Sequence, residues 1–559
     1  MSSTQESDGN FRSLFGGSKW KIALYVGVPL LGVGVVCTML WIRRSAQDSS
    51  QSTFEQQDDD VTEVEEELEM SPAELAQKSK IKGNELFKAN KFKEAIESYT
   101  EAIAICPEEN KAELAIYYQN RAAAYEQLKE YDKVILDCQK ALQYNKRYTK
   151  AYWRRAKVYE KLDQKQNSLQ DLTAVSMIEG LQNSSWMVQM DEILKNIGTE
   201  MARENFKNRV NVLPSKVFIK AYLDSFCEDT LLTLGEKDDV ESNFYLQAVR
   251  EVLDGKFENI VTLCTSEIDE SAPNENFAKA LCLRGTMFTL MSMHTEALQD
   301  FDRLINSEEA SIKVKVNALI KRASIKVHTT QNTQNAYADF DEAIKLDPEN
   351  CDIFHHRGQI NALTEKMQEA KDDFERCAEL NPSFVPAKVQ LAFCIYKTAL
   401  MQQSALLIQG ARRMFDDIIS SHPKHADAYS LFAQLNQEMQ DFEAAEKNFD
   451  TAISLEPNNP VHYVYKALLI CQWKKDIEKA TDLLKKAVVL DPKCDFAFET
   501  LATLQVQSGD FKEAISNFDK ALALVRNETE MAHTYSIRQA ALAQEYVTKE
   551  IGLTPPRMF

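Results

Sequence analysis

Five polar side chains have the types and the spacing that could bind a carboxylate. Lys80 precedes Asn84 by four residues and Lys150 precedes Arg154 by four, so on helices each pair would share one face. Asn120 lies between the two pairs. Ammonium and guanidinium groups form charge-assisted hydrogen bonds with carboxylates, and side-chain amides pair with a peptide backbone. The set predicts a groove for a peptide that ends in a free carboxylate beside an acidic side chain.

Other residues with reactive side chains give weaker signals. Arg155 and Lys157 could extend the basic rim of this groove, and for Arg155 a position that faces solvent is the alternative. His422 and His425 have the spacing of metal ligands, but no third ligand lies near them in the sequence. The histidines at 355–356 are expected on the surface or along a groove. The sequence has no phosphate-binding G-x-x-x-x-G-K-[ST] loop and no H-E-x-x-H zinc motif, so we expect a binding protein with no cofactor and no metal rather than an enzyme.

An internal repeat must position these residues. Pro348 and Pro382 are 34 residues apart, as are Pro423 and Pro457, and Pro492 follows after 35 more. Ahead of the prolines one frame recurs: an alanine, an aromatic residue four positions later, and a small residue three positions after that. This period and frame resemble the tetratricopeptide repeat, a helix-turn-helix unit whose closing proline cannot continue the second helix.

The repeat predicts an all-α fold: a tetratricopeptide-repeat superhelical solenoid of about eleven repeats in two arrays, preceded by one N-terminal transmembrane helix. The first helix of each repeat is expected to line the concave surface, where the five residues above would converge. The copies near 241 and 317 match the frame least well. The copy at 385 runs 41 residues to its successor, with 401–413 as the expected insertion in its turn or second helix. The copies begin near residues 76, 115, 149, 241, 278, 317, 351, 385, 426, 460 and 495.

The N-terminal region predicts a membrane anchor followed by a spacer. Residues 22–42 run for 21 positions without a charge, and about 20 apolar residues cross a bilayer as a helix. Lys21 and Arg43 flank this run, which is longer than the apolar part of a cleaved signal peptide, so we expect a single uncleaved span. Residues 45–70 then contain ten acidic and no basic side chains, which repel one another and predict an extended, solvated spacer.

The composition of the chain indicates which kind of partner is excluded and in which compartment the chain is expected. The 559 residues include 85 acidic and 65 basic ones, and the net charge of −20 argues against nucleic acid as a partner. The 11 cysteines are scattered and form no C-x-x-C pair, as expected for reduced cysteines. The body of the chain is therefore expected in the cytosol.

These features divide the chain into seven predicted segments. The segment between the two arrays is expected to be a helical connector, and the C-terminal one to cap the last repeat and end in a loose tail. In order they are a short N-terminal segment at 1–21, the transmembrane anchor at 22–42, an acidic disordered linker at 43–75, a three-repeat carboxylate-clamp domain at 76–182, the connector at 183–240, an eight-repeat domain at 241–528, and the capping helix and tail at 529–559.

The order of anchor, spacer, three repeats, connector and eight repeats resembles the seventy-kilodalton receptor subunit of the translocase of the outer mitochondrial membrane. Lys80, Asn84, Asn120, Lys150 and Arg154 also match, one for one, the carboxylate clamp of tetratricopeptide co-chaperones, which bind the terminal Glu-Glu-Val-Asp of cytosolic heat-shock chaperones. The resemblance implies a single-pass import receptor in the mitochondrial outer membrane with its C-terminal bulk in the cytosol. Its implied partners are chaperones of the seventy- and ninety-kilodalton classes, mitochondrial precursor proteins bound by the eight-repeat domain, and other subunits of the translocase.

Two other functions remain open on the sequence alone. A chaperone-docking adaptor with the same repeats could be anchored in another membrane, such as the endoplasmic reticulum. An enzyme built from the repeats or the connector is the other alternative, although the sequence shows no catalytic motif. The sequence does not predict which residues would bind precursors. The methionine-rich stretch at 287–293 could form an adaptable surface, but core packing accounts for it better.

Overall fold

All regular elements in the described part of the chain are helices, which confirms the predicted all-α class. None of the helices there is long and apolar enough to span a bilayer. The anchor predicted at 22–42 and the acidic segment after it lie outside the described residues. The computed structural model describes residues 70–179, 184–227, 230–234, 240, 243–270, 274–329 and 334–553.

The helices form two compact units. The first, called the clamp unit below, contains the described residues of 37–207, 505–518 and 528–559. It begins with three helix pairs, and in each pair a short turn joins a first helix to a second. The pairs are α1 (Pro72–Lys88) with α2 (Phe92–Ile105), α3 (Lys111–Gln127) with α4 (Tyr131–Tyr144), and α5 (Thr149–Lys161) with α6 (Lys165–Glu179); α7 (Ser184–Phe206) follows them.

The second unit contains the described residues of 208–504 and 519–527. It starts with α8 (Lys216–Leu223) and a 3₁₀ turn at Thr230–Leu232. The helix pairs that follow along the chain correspond to the remaining copies of the repeat, and residues 505–518 of the last pair are grouped with the clamp unit. They are α9 (Phe244–Leu253) with α10 (Ile260–Glu270), α11 (Glu275–Leu290) with α12 (His294–Ile305), α13 (Ile312–Thr329) with α14 (Gln334–Leu346), α15 (Cys351–Leu363) with α16 (Met367–Leu380), α17 (Val385–Met401) with α18 (Ala405–Ser421), α19 (Ala426–Glu438) with α20 (Phe442–Leu455), α21 (Pro460–Lys474) with α22 (Ile477–Leu490), and α23 (Asp495–Ser508) with α24 (Phe511–Leu524).

One turn geometry joins the two helices of most pairs. After α1, Asn90 adopts a left-handed backbone with a φ of 60°, and the Lys91 N–H donates to the Leu86 carbonyl at 2.9 Å. In this motif the left-handed residue ends the helix and satisfies carbonyls of its last turn. Lys129 and Asp163 occupy the same position after α3 and α5. In the second unit the position is taken by Gly255, Ser292, Glu365, Gln403 and Gln440.

The recurring frame of alanine, aromatic and small residue forms the contact within each pair. In the first pair, Ala95, Tyr99 and Ala102 of α2 are buried, and α2 packs on α1. A Cβ on Gly83 would lie 2.6 Å from Cε1 of Tyr99, so a glycine is needed for the two helices to approach this closely. The same approach recurs in two later pairs, at Gly285 with Phe301 and at Gly358 with Phe374.

An arginine–aspartate ion pair is a second contact that recurs between paired helices. Arg155 of α5 donates from Nε and Nη2 to the two carboxylate oxygens of Asp171 on α6, at 2.8 and 2.7 Å. Arg155 therefore neither extends the basic rim nor faces open solvent, because it neutralises a carboxylate that is only 3% exposed. The equivalent pairs are Arg121–Asp137, Arg284–Asp300, Arg322–Asp339 and Arg357–Asp373.

The long copy at 385 differs from the expectation that its extra residues form an insertion in the turn or the second helix. Its helices α17 and α18 both have 17 residues, whereas α19 and α20 of the next pair have 13 and 14. The turn between α17 and α18 remains short, with Gln403 in the left-handed position. Both helices are thus about one turn longer, since a helical turn takes 3.6 residues.

Two expectations about polar residues of the second unit are wrong. His355 and His356 do not lie on the surface: they are 0% and 3% exposed on α15, and burial lowers the pKa of His355 to about 3. Cys227 and Cys351 are not reduced but joined by a disulfide. The two cysteines meet because Asp352 accepts a hydrogen bond from the Cys227 backbone N–H at 2.7 Å, which fixes the segment after α8 at the start of α15.

The C-terminal helix α25 (Glu528–Ile551) belongs to the clamp unit. It packs along α7 and α6, and the Ser536 hydroxyl donates to the Leu194 carbonyl at 2.9 Å. Val547 is buried in an apolar cluster formed by the second and third pairs, and Ala543 is buried with residues of α5, α6 and α7. This segment was predicted to cap the last repeat; the contacts that the structure shows for it are those that complete the core of the clamp unit.

Candidate carboxylate-binding site

The five residues predicted to bind a carboxylate lie on the first helices of the clamp unit. α1 carries Lys80 and Asn84, α3 carries Asn120, and α5 carries Lys150 and Arg154. α1 contacts α3 and α3 contacts α5. Residues four apart on a helix share a face, so stacking of the first helices can bring the five side chains to one surface.

Asn84 and Asn120 are in direct contact. The Asn120 Nδ2 group donates to Asn84 Oδ1 at 3.2 Å, and the Tyr99 hydroxyl donates to the same oxygen at 2.9 Å. Burial raises the pKa of Tyr99 to about 12, so its hydroxyl keeps the donated proton at neutral pH. Because the oxygen of Asn84 is occupied, the Nδ2 donors of Asn84 are left for a carboxylate or a peptide carbonyl.

Lys80 and Lys150 supply two cations without counter-ions. Within the described ranges, neither ammonium group forms a hydrogen bond or an ion pair. Lys80 is half-buried and Lys150 is exposed. Each can therefore bind an incoming carboxylate without giving up another contact.

Arg154 differs from the two lysines because it already has a partner. Its Nη1 group donates to Oε2 of Glu126 on α3, and the two side chains are 21% and 17% exposed. The Nε group of Arg154 is buried and makes no hydrogen bond with the described residues. Glu126 was not predicted, since it lies 28 residues from Arg154 and matches no motif; only the packing of α3 on α5 reveals it.

A cavity of about 800 Å³ opens at the N-terminal ends of α1 and α3. Gln77 and Ile81, which line it, flank Lys80 on α1, and Tyr117 lines it from α3. The Tyr117 hydroxyl donates to Gln77 Oε1 at 3.4 Å. A cavity beside Lys80 with the half-exposed Ile81 in its wall can hold an apolar side chain of a peptide whose carboxylate reaches the lysine.

Two groups of potential metal ligands occur in the described part of the second unit. They are Cys227 with Cys351 and Asp352, and Asp427 with Glu456 and His462. The sulfurs of the first group are already bonded to each other. In the second group, Nε2 of His462 lies 3.4 Å from Oε2 of Glu456. The histidine pair at 422–425 belongs to neither group.

Some first helices of the second unit carry buried polar groups. Gln390 of α17 and Ser430 and Gln434 of α19 are buried, and each has a side-chain atom without a hydrogen-bond partner among the described residues. These atoms are buried, so in this structure an incoming peptide does not reach them. The sequence did not single them out because glutamine and serine are ordinary surface residues. Met287 of the methionine-rich stretch is fully buried, in agreement with core packing.

Comparisons with known proteins extend over the whole repeat region. The family model described as "Tetratricopeptide repeat" matches residues 81–109, 352–384 and 426–459. "Mitochondrial import receptor subunit TOM70" of Rattus norvegicus is 39% identical over 574 residues, which cover 97% of this chain and 93% of the relative. The crystal structure of yeast Tom70 matches with a TM-score of 0.52 and 25% identity, over 86% of this chain and 98% of that one. "Hsp70/Hsp90 co-chaperone CNS1" of Saccharomyces cerevisiae is 40% identical over 95 residues, which cover 17% of this chain and 24% of the relative.

Proposed function

The chain belongs to the family of the mitochondrial import receptor subunit TOM70, and from this premise we propose that its clamp unit docks cytosolic heat-shock chaperones by their free C-terminal tails. A member of this family is an import receptor of the mitochondrial outer membrane and not an enzyme. The proposed ligand is a tail ending in Glu-Glu-Val-Asp. Its last residue has two carboxylates, one on the main chain and one on the side chain.

The main support for this proposal is the hydrogen bond between Asn84 and Asn120, which lie on helices of a unit that also has three cationic side chains on its first helices. The contact between the amides leaves the Nδ2 donors of Asn84 for the terminal carboxylate. Lys80 and Lys150 have no competing partner in the described ranges. Their ammonium groups, with the guanidinium of Arg154, provide charge-assisted hydrogen bonds for two carboxylates. The cavity beside Lys80 would receive an apolar side chain that precedes the terminal residue.

The chaperone classes are suggested by a relative. The similar stretch of 95 residues belongs to a protein named as a co-chaperone of Hsp70 and Hsp90. We therefore expect chaperones of the seventy- and ninety-kilodalton classes to present tails to this site.

In this proposal the second unit receives hydrophobic mitochondrial precursors from the docked chaperone and passes them to other subunits of the translocase. A chaperone held at the clamp unit raises the effective concentration of its cargo near the second unit, so a weak cargo site suffices. A single span at 22–42 would anchor the receptor, with its C-terminal bulk in the cytosol.

Calorimetric titration of the full chain in detergent with a short peptide ending in Glu-Glu-Val-Asp tests the clamp. We expect micromolar binding, and we expect Arg154→Ala to weaken it by about 2–3 kcal/mol, the scale of a charge-assisted bond lost from a desolvated site. A peptide with an amidated C-terminus should not bind, because the terminal carboxylate is then missing.

Arg147→Ala is the matched control for this experiment. Arg147 is exposed, precedes α5, and was not predicted to touch the ligand. Its replacement should leave the affinity unchanged apart from a small loss of long-range attraction. A loss of less than threefold for Arg154→Ala, or equal losses for the two variants, would show that Arg154 does not bind the tail.

A further inference from the structure

We propose that Glu126 is an internal competitor of the clamp, which occupies Arg154 in the free protein and lowers the affinity for acidic tails. The inference rests on the proposed function, since it concerns the same site. It assigns to Glu126 a role in setting how tightly that site binds.

The argument begins with the donors of Arg154. A guanidinium binds a carboxylate best through two parallel N–H groups on one edge, either Nη1 with Nη2 or Nε with Nη2. The Nε group is buried without a partner, so a ligand from solvent cannot reach the edge that includes it. The remaining edge includes Nη1, which donates to Glu126. Nη1 carries two N–H groups, so a tail that binds this edge with two bonds shares Nη1 with Glu126 and brings its own carboxylate next to that of Glu126.

The negative charge of Glu126 also lowers the affinity for an acidic tail. Glu126 carries a carboxylate at the position where the proposed ligand brings further carboxylates. The side chains of Arg154 and Glu126 are 21% and 17% exposed, so solvent and salt screen this repulsion less than they would on an open surface. Among the three predicted cations, Arg154 is the one with an acidic partner in the described ranges.

A weaker clamp fits a receptor that must release its chaperone after each delivery. An internal carboxylate that returns to Arg154 compensates the cation when the tail leaves, so the empty site does not hold an unpaired, partly buried charge. Glu126 would thus make the empty state more stable and shorten the time for which a tail stays bound.

The test is calorimetric titration of the full chain in detergent with the peptide ending in Glu-Glu-Val-Asp. Glu126→Gln keeps the shape of the side chain and removes its charge, and we expect it to bind the tail about three- to tenfold more tightly, the range for releasing one partly buried ion pair. Glu126→Asp keeps the charge but shortens the side chain by one methylene, so it should also tighten binding if the direct contact with Arg154 is the cause.

Glu97→Gln is the matched control, because Glu97 is an exposed residue of α2 and its loss changes the net charge by the same amount. Its effect should be much smaller than that of Glu126→Gln. Equal tightening by the two variants would mean that only net charge matters, and unchanged or weaker binding by Glu126→Gln would mean that Glu126 supports Arg154 instead; both results overturn the inference. Failure of the wild-type chain to bind the peptide would instead reject the proposed function itself.

Discussion

Arg154 and Arg155 are neighbours in the sequence, but packing gives them different partners. Arg154 contacts Glu126 of the preceding pair, while Arg155 contacts Asp171 within its own pair. The spacing of four from Lys150 identified Arg154 as a ligand-binding candidate, and no comparable pattern was used for Arg155. The sequence nevertheless contains a signal for the pairing of Arg155 with Asp171, because an arginine followed by an aspartate 16 positions later recurs in four repeats. Glu126 has no such signal, since its contact depends on how two repeats stack.

Loss of Arg155 should destabilise the clamp unit without removing a ligand contact. Burial already raises the pKa of the Asp171 carboxyl, while hydrogen bonds from Arg155 oppose that rise. Arg155→Ala would leave this carboxylate buried and unpaired, and we expect a loss of about 3 kcal/mol in the free energy of unfolding. Urea unfolding of the full chain, followed by hydrogen exchange in α5 and α6, measures it.

The control for Arg155→Ala is Arg147→Ala, which removes an exposed arginine that has no side-chain partner in the described ranges. Its effect should stay within about 0.5 kcal/mol, as for most surface substitutions. A loss below 1 kcal/mol for Arg155→Ala would contradict the assignment of this ion pair to the core of the repeat.

At the scale of elements, the period of the sequence predicted the helix pairs correctly, because the residues that form the core of each pair lie close together in the sequence. Ala95, Tyr99 and Ala102 lie on one face of α2 and contact a glycine only one helix away. The extra residues of the copy at 385 were expected in the turn or the second helix; part of them lengthen the second helix and part the first, since length alone does not show where residues are added. Adding about one turn to each of two paired helices keeps their apolar faces in phase, so the pair is extended without breaking its contact.

The turns between paired helices offer a test of local strain. Lys129 has a φ of 59°, where a side chain costs about 1 kcal/mol or more and glycine does not. We expect Lys129→Gly to raise the free energy of unfolding of the clamp unit by about 0.5–1 kcal/mol. Thermal unfolding should show the corresponding rise in midpoint. Asn90→Gly should raise the free energy of unfolding by less than Lys129→Gly does, because asparagine tolerates the left-handed backbone better than lysine does.

Lys140→Gly provides the opposite control on the same pair. Lys140 is an exposed residue in the interior of α4, where glycine costs about 1 kcal/mol relative to good helix formers. The two lysine-to-glycine substitutions should therefore shift the midpoint in opposite directions. Destabilisation by both would show that the left-handed turn at Lys129 carries no strain.

At the scale of the whole molecule, the clamp unit is built from distant parts of the chain. The sequence predicted three repeats that end at 182 and a C-terminal helix beyond 528. It did not predict that α25 packs on α6 and α7. Local periodicity shows that a helix has an apolar face but not which partner covers that face, and the partners here are more than 300 residues apart.

The contact between α7 and α25 can be tested at one glycine. A Cβ on Gly198 would overlap the Ala532 carbonyl oxygen and the Ser536 hydroxyl of α25, so Gly198→Ala must push the two helices apart. We expect a loss of about 1–3 kcal/mol from such overpacking, and faster hydrogen exchange in α7 and α25. Gly410→Ala is the matched control. A Cβ there meets no atom within 4 Å, and alanine should stabilise α18 by about 0.5–1 kcal/mol. If Gly198→Ala were as harmless as Gly410→Ala, α25 would not be a tightly packed part of the clamp unit, and removal of residues beyond 527 should then leave tail binding and unit stability intact.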